Sequence, residues 1–338
     1  MTPRRTASTP PTDAQWNEQV CARLMACIPD LVPGSPAVLS ITRWVEDVWL
    51  VELAEGGRII AKQQFYGLLT RDEPHDLLQV EFDALRYLRR CGAAVPMPFG
   101  IDPEAQIILL EYAGRETVAD VLVTPLEAST RRQLAAQILR QLTRIETHLQ
   151  EAQIDWSSRV IPGASAKELT TGWADVPRLA TKALLGLWRR SCGSEPAEAL
   201  VAQVLLLCER LGRRTPKLGI SDYQPANIVV DEQRRRVTFL ELSKLGWDWT
   251  ERRAVQYTTS VDGSGISLLD ADVVAQSPLD GDALDGHHIL FLLLLAGRML
   301  ATDKGDITGL ARALGTPLSR DPITTELRRG LQRLTLAE

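Results

Sequence analysis

Cysteine is scarce and unpaired in this sequence. Five cysteines (Cys21, Cys27, Cys91, Cys192 and Cys208) are odd in number and scattered, and none forms a CxxC pair. That excludes a disulfide framework and a cysteine zinc site, and it reads as reduced thiols in a cytoplasmic protein. An excess of positive charge is also missing: 38 Lys and Arg against 43 Asp and Glu leave a net charge of −5. A nucleic-acid partner held by phosphate neutralisation is therefore not expected. The longest apolar run, Ile289 to Ala296, is too short to span a bilayer and reads as the buried side of a core helix, so no membrane partner is expected. Two arginines near the start have no apolar stretch behind them, which does not read as a signal peptide. No internal repeat is evident. The adjacent His287 and His288 precede an apolar helix without a second ligand cluster, and they read as packing residues rather than metal ligands.

What is present is an ordinary globular composition, 45% hydrophobic and 24% charged, over 338 residues, enough for two lobes. Residues 1–13, rich in Pro, Thr and Ser, are expected to be a disordered tail. A helix is predicted from Asp13 to Pro29, followed by strand-like runs AVLSITRW, VWLVELA and RIIAKQQF. The last two are joined by a Gly-Gly hairpin signal. Helical spacing follows over Asp76–Arg90, then the proline-rich connector VPMPFGID and the strand AQIILLEYAG. Beyond Gly114 the pattern is helical, with a long helix over STRRQLAAQILRQLTRIETHL, another over AEALVAQVLLLCERLG, and between them a loop region carrying Trp156, Trp173 and Trp188. A second hairpin, NIVVD with RRVTFLEL, is embedded before a helical end. A small strand-rich N-terminal lobe (14–113) and a large helical C-terminal lobe (114–338) make an α+β two-lobe fold class.

The stretch ISDYQPANIVV carries Asp222 and Asn227 five positions apart, just before a buried strand. Phosphotransferases use that spacing for a catalytic base and a metal ligand. Phosphoryl transfer needs little else from a protein: a lysine on the nucleotide phosphates, bridging metal, and a carboxylate aimed at the acceptor hydroxyl. Lys62 lies on the second strand of the first hairpin, and Glu81 lies on the following helix, where it could hold that lysine. Backbone groups of Glu111 and Ala113 could pair with an adenine edge. Glu241 ends the strand after Asn227, where a second metal carboxylate is required. Taken singly, each has a plain structural reading: Asp222 as a turn former, Lys62 as an edge charge, Glu81 as an exposed helix residue. The ordered set is what points to chemistry.

On these residues the chain resembles, over roughly residues 37–300, the aminoglycoside phosphotransferase family, relatives of choline and fructosamine kinases within the protein-kinase-like fold. The family loop His-Gly-Asp-x-x-x-x-Asn is matched here by Ile220-Ser221-Asp222-Tyr223-Gln224-Pro225-Ala226-Asn227, and its metal aspartate by Glu241. The resemblance implies Asp222 as base, Asn227 and Glu241 as Mg2+ ligands, Lys62 on the α- and β-phosphates of ATP or GTP, and Asp248 as a structural acid. It also implies a bilobal fold with the nucleotide on the first lobe and the acceptor site on the second. The sequence departs at Ile220, Ser221 and Glu241, and RWVEDVW stands where a glycine-rich phosphate loop would be.

The implied activity is transfer of a γ-phosphoryl group to a hydroxyl of a small molecule (an amino sugar, antibiotic or pathway metabolite) or of a peptide. The departures leave a second reading, a pseudokinase that binds nucleotide or partners without turnover. Residues 254–297 hold six aspartates and no Lys or Arg. If they line one cleft they favour a cationic acceptor; otherwise they form a flexible acidic loop.

Overall fold

Strand β2 (Val48–Leu53) turns its alternate residues Trp49, Val51 and Leu53 inward, the period-two signature of a half-buried strand. The turn after it, closed by Leu53 N–H on the Gly57 carbonyl at 2.8 Å, returns the chain as β3 (Arg58–Gln63). This computed structural model describes residues 13–64, 75–231, 233, 236–302 and 308–334. The expected tail over 1–12 and the arginines at 234 and 235 lie outside the described residues.

The chain separates into two compact units, residues 1–86 with 96–112, and residues 87–95 with 113–338. The first holds helix α1 (Asp13–Leu31), strand β1 (Val38–Val45), β2, β3, most of helix α2 (Leu77–Arg90), and strands β4 (Pro98–Asp102) and β5 (Ile107–Glu111). Its antiparallel sheet has the order β1-β2-β3-β5-β4. Val20, Leu24 and Ile28, one helical turn apart on α1, pack on Trp49, Val51, Ile59, Ala61, Ile107 and Leu109 of the sheet. Each such buried side chain contributes about 1.5–3 kcal/mol. Trp49 Nε1 donates to Asn17 Oδ1 at 2.8 Å, fixing the helix against β2.

Two expectations are corrected here. Helix α1 does not stop at Pro29 but runs through it to Leu31. Proline removes one ladder bond, yet Ile28 and Val32 on either side of it are buried and joined by a 2.9 Å Val32 N–H to Ile28 carbonyl bond. The connector VPMPFGID is also not a loop: Pro98–Asp102 forms edge strand β4 against β5. Proline is tolerated because it opens the strand, where a register shift between Pro98 and Gly100 relieves the ladder.

The second unit is mostly helical. After strand β6 (Glu116–Thr117) come helices α3 (Val118–Leu122), α4 (Ala128–Glu151), α5 (Ala166–Trp173), α6 (Val176–Cys192) and α7 (Glu198–Gly212). Strands β7 (Lys217–Ile220), β8 (Ile228–Val230), β9 (Val237–Phe239) and β10 (Leu245–Asp248) follow. Helices α8 (Thr250–Thr258), α9 (Ala271–Ala275), α10 (Gly281–Thr302), α11 (Thr308–Gly315) and α12 (Pro322–Leu331) complete it. The expected tryptophan-bearing loop is instead largely helix: Trp173 ends α5 and Trp188 is buried on α6. The expected second hairpin forms as β8–β9, with Ile228 opposite Phe239, and gains β6 as a third strand.

Leu187, Leu207, Leu211, Ile289, Leu293, Leu314 and Leu331 belong to one apolar core joining α6, α7, α10, α11 and α12. Among the described residues, α10 alone is long and apolar enough to cross a membrane, and 72% of its apolar window is buried inside the protein. At Gly297 a Cβ would stand 2.8 Å from the Ala183 Cβ, so glycine sets how closely α6 and α10 cross. His287 and His288 are buried on α10, and burial holds both imidazoles well below their ordinary range. All five cysteines are free.

In the first unit Arg23 of α1 holds Asp102 of β4 through two nitrogens, NH2 lying 3.0 Å from Oδ1. That guanidinium draws the Asp102 carboxyl below the ordinary carboxylate range, against burial. A depressed folded value contributes stability that is present above the unfolded value near about 3.9 and is lost as pH falls through the folded one. Asp102→Asn should therefore lower the urea midpoint at pH 6 while flattening the decline of that midpoint below about pH 4. An unchanged acid limb would show that Asp102 carries none of it.

Candidate functional site

In the first unit the chemistry sits on a central strand. Lys62 on β3 is flanked by Val48 of β2 and Ile108 of β5, and only 9% of it is exposed. Its Nζ donates to both carboxylate oxygens of Glu81 on α2, at 2.9 and 3.0 Å. Glu81 is 1% exposed and also accepts from the Gln64 side-chain amide. Removing both charges from water costs several kcal/mol, about what their attraction returns. Such a pair is a poor way to gain stability and a good way to fix an ammonium at one point.

Glu111 closes β5, its N–H donating to the Met97 carbonyl at 2.8 Å while its Oε2 accepts from the Met97 N–H at 3.0 Å. Ala113 belongs to the second unit and precedes Gly114. There φ is +134°, and a Cβ would lie 3.0 Å from Val229 Cγ1 and 3.3 Å from the Val230 carbonyl, so only glycine fits.

In the second unit β7 and β10 form a two-stranded sheet from whose end the loop Ser221–Gln224 emerges. Arg253 of α8, fully buried, anchors that sheet with all five guanidinium donors. Nε donates to the Ile220 carbonyl at 2.8 Å; NH2 donates to the carbonyls of Gly246 at 2.7 Å and Lys217 at 3.1 Å. NH1 donates to the Asp248 carbonyl at 3.3 Å and to Glu146 Oε1 of α4 at 2.8 Å. The other Glu146 oxygen accepts from Thr250. Burial raises the Glu146 carboxyl above its ordinary range, against the pull of Arg253 and Thr250.

From this anchor the loop is set residue by residue. Ile220 is buried where the resemblance expects histidine, and its carbonyl rather than its side chain takes the anchoring bond. The Ser221 N–H and hydroxyl both donate to the Lys244 carbonyl, at 2.9 and 3.1 Å. The Asn227 side-chain amide donates to the Asp222 carbonyl at 2.8 Å and closes the loop. Tyr223 donates its hydroxyl to Asp248, and burial raises that phenol far above its ordinary range. Asp248 is buried and also receives Arg252, the structural part expected of it.

The Asp222 carboxylate, partly exposed, receives Lys244 Nζ on Oδ2 at 2.6 Å. Asn227 keeps Oδ1 in hand, reached among the described residues only by the Gln224 amide at 3.5 Å. Its backbone carbonyl accepts from Leu240, so the segment carrying Glu241 runs beside it. Glu241 itself corrects an expectation. Strand β9 ends at Phe239, and Glu241 lies beyond it, half-buried, at φ +58°. A left-handed conformation costs a non-glycine residue about 1–3 kcal/mol. The local structure holds it there, turning the carboxylate out of the strand's alternation.

Asn227 Oδ1 and the Glu241 carboxylate are hard oxygen donors of the kind Mg2+ takes. Among the described residues no three His, Cys, Asp or Glu side chains gather as a metal cluster. Mg2+ commonly takes one or two protein oxygens and completes its shell with phosphates and water, and these two residues offer oxygens of that type. The structure brings together Lys62 with Glu81, and Asp222 with Asn227. Residues that sequence reasoning missed are Lys244, Arg253 and Glu146. Only Glu146 left a signal, a charge on the apolar stripe Leu142, Ile145, Leu149.

The acidic run does not form a one-signed cleft. Asp270 and Asp272 pair with Arg132, Asp280 with Arg214, and Asp285 with the buried Arg328, while Asp262 accepts from the Ser264 N–H. Arginines from distant parts of the unit meet four of the six aspartates, so the run as a whole does not set the charge of an acceptor.

No protein-family model matches the chain, and no curated protein matches it significantly. Solved structures do. An aminoglycoside phosphotransferase from Alicyclobacillus acidocaldarius subsp. acidocaldarius shares 12% identity at a TM-score of 0.52, over 99% of this chain and 94% of that one. Amicoumacin kinase hAmiN, solved with AMP-PNP, Ca2+ and Ami, shares 15% identity at a TM-score of 0.46, over 95% and 94%. Macrolide 2'-phosphotransferase MphH from Brachybacterium faecium shares 13% at 0.44, over 93% of each chain. The chain has the protein-kinase-like fold of the aminoglycoside phosphotransferases, as the loop residues implied, with a β-sheet N-terminal unit and a helical C-terminal unit.

Arg253→Lys keeps the charge but offers three donors in place of five, so buried carbonyls go unpaired. It should destabilise the protein by about 3 kcal/mol or more in urea unfolding. A loss under about 1 kcal/mol would show that the guanidinium bonds do not anchor this sheet.

Proposed function

We propose that this chain is a phosphotransferase that moves the γ-phosphoryl group of ATP or GTP to an alcohol group of a small molecule. The observation that carries the reading is the loop constellation: an Asp222 carboxylate oriented by Lys244, an Asn227 closing the loop on the Asp222 carbonyl, and Glu241 held left-handed beside them. The buried Lys62–Glu81 pair supports it from the nucleotide side.

Lys244 holds Oδ2 of Asp222, which leaves Oδ1 to face an acceptor hydroxyl. Asp222 orients that hydroxyl and takes its proton as the oxygen bonds to the γ-phosphorus and the nucleoside diphosphate leaves. Lys62, fixed by Glu81, binds the α- and β-phosphates. Asn227 and Glu241 would hold Mg2+, which would supply neutralisation of charge on the transferred group. Glu111 and Ala113 supply backbone groups for the purine edge. The five free cysteines suit a reducing cytoplasm. The ion-paired aspartates set no charge preference for the acceptor, and nothing favours a peptide.

One observation keeps the pseudokinase reading in view. The 2.6 Å Lys244–Asp222 ion pair occupies half of the carboxylate in a loop that lacks the family's His-Gly. Thermal shift with ATP alone, Mg2+ alone and both separates the readings, since an enzyme responds to the pair more than to the sum.

Asp222→Asn should reduce turnover in a labelled-ATP acceptor screen by about 10²-fold or more with nucleotide affinity nearly unchanged. Survival within a factor of a few would remove Asp222 as base. Glu241→Asn keeps a residue that tolerates the left-handed region while removing the charge. It should abolish the Mg2+ dependence of nucleotide binding, measured by titration with and without metal.

A further inference from the structure

We propose that the helical unit carries a binding site for a small ring-bearing carboxylate, in the cavity between α5, α8 and α10. The cavity measures about 160 Å³, and its walls include Trp173, Phe291 and Leu294. An apolar cavity of about 150 Å³ accommodates benzene. The volume therefore admits one six-membered ring and excludes an oligosaccharide.

The polar lining sets the sign of the ligand. It contains two guanidiniums, Arg252 and Arg298, and no carboxylate. Arg252 uses only NH1, on Asp248 at 3.2 Å, which leaves Nε and NH2 uncommitted among the described residues. Arg298, on the exposed side of α10, meets no carboxylate among the described residues. His287, 2% exposed, edge-on to Trp173 and tilted against Trp249, lines the cavity with its Nε2 buried and unpartnered among the described residues. A buried polar atom of this kind costs free energy until something pairs with it. Val261 at the same cavity is an exposed valine, 54% accessible, that a ring would cover. An apolar slot rimmed by Arg298 and the unused Nε and NH2 of Arg252 fits a ring acid and repels an amine.

Occupancy also reaches the catalytic loop. A bound carboxylate competes with Asp248 for Arg252, and Asp248 holds the hydroxyl of Tyr223, the residue after Asp222. Binding at this site does not depend on the phosphotransferase reading, so it is tested without nucleotide. Isothermal titration of the full chain with benzoate, cyclohexanecarboxylate, benzyl alcohol and benzylamine is the direct experiment. Both carboxylates should bind saturably at one per chain, the alcohol about tenfold more weakly, and the amine not at all. Arg298→Ala, an exposed position, should weaken benzoate about tenfold, and Leu294→Trp should abolish binding by filling the slot. Benzylamine binding as well as benzoate, no carboxylate binding at millimolar concentration, or an unchanged benzoate affinity in Arg298→Ala would each overturn the site.

Discussion

The five bonds of the Arg253 guanidinium are the constraint on which the second unit's chemistry depends. Strands β7 and β10 have four residues each and form a two-stranded sheet, to which β10 adds one isolated bridge, Leu245 with Val160. A lone two-stranded ribbon is marginal in water. Arg253 ties the carbonyls of both strands to the Glu146 carboxylate on α4 and buries the whole assembly. Because every donor has an acceptor, burying the charge leaves nothing unsatisfied. The Ile220 carbonyl is one of those acceptors, and the loop begins at the next residue. The position of Asp222 is thus inherited from a guanidinium on the fourth residue of a different element, α8.

The same logic explains how a histidine and a glycine can be absent from the loop without leaving it loose. Backbone bonds replace side-chain ones: Ile220 fills space while its carbonyl is held, and Ser221 is clamped twice to the Lys244 carbonyl. Lys244 then holds the segment at both ends, with its carbonyl on Ser221 and its ammonium on Asp222. Charge in this unit is arranged through arginines that reach across long stretches of chain, and so the acidic run ends as caps and ion pairs.

Much of the architecture was legible in the sequence because it is local. The Gly-Gly hairpin, the helix bearing Glu81 and the core helix α10 follow from periodicity and turn chemistry, which the fold then honours. Lys62 and Glu81 could be paired on paper because a strand followed by a helix constrains where their side chains go. Strand β4 was not legible: Pro98 and Pro96 read as a connector, and only the neighbouring β5 makes an edge strand there affordable. Trp173 and Trp188 likewise took their helices from tertiary packing. Arg253 carried no signal, since its burial is decided by Glu146, 107 positions away. The left-handed Glu241 has no signature in residue type at all, because the β8–β9 register and the following turn impose it.

The irregularities along the first unit's sheet bear on the company the protein keeps. Strands β1 and β4 form its two margins. The register of β1 slips between Val38 and Ser40 and again between Arg43 and Val45, and that of β4 slips at Pro98. A straight, evenly spaced margin is a template for strands from other molecules, and bulges and proline spoil that template. Leu39 and Val45 are exposed on β1 and would otherwise invite such growth. These slips act as insulation against self-association, and a crowded cell, where unfolded neighbours are plentiful, is where that insulation matters most.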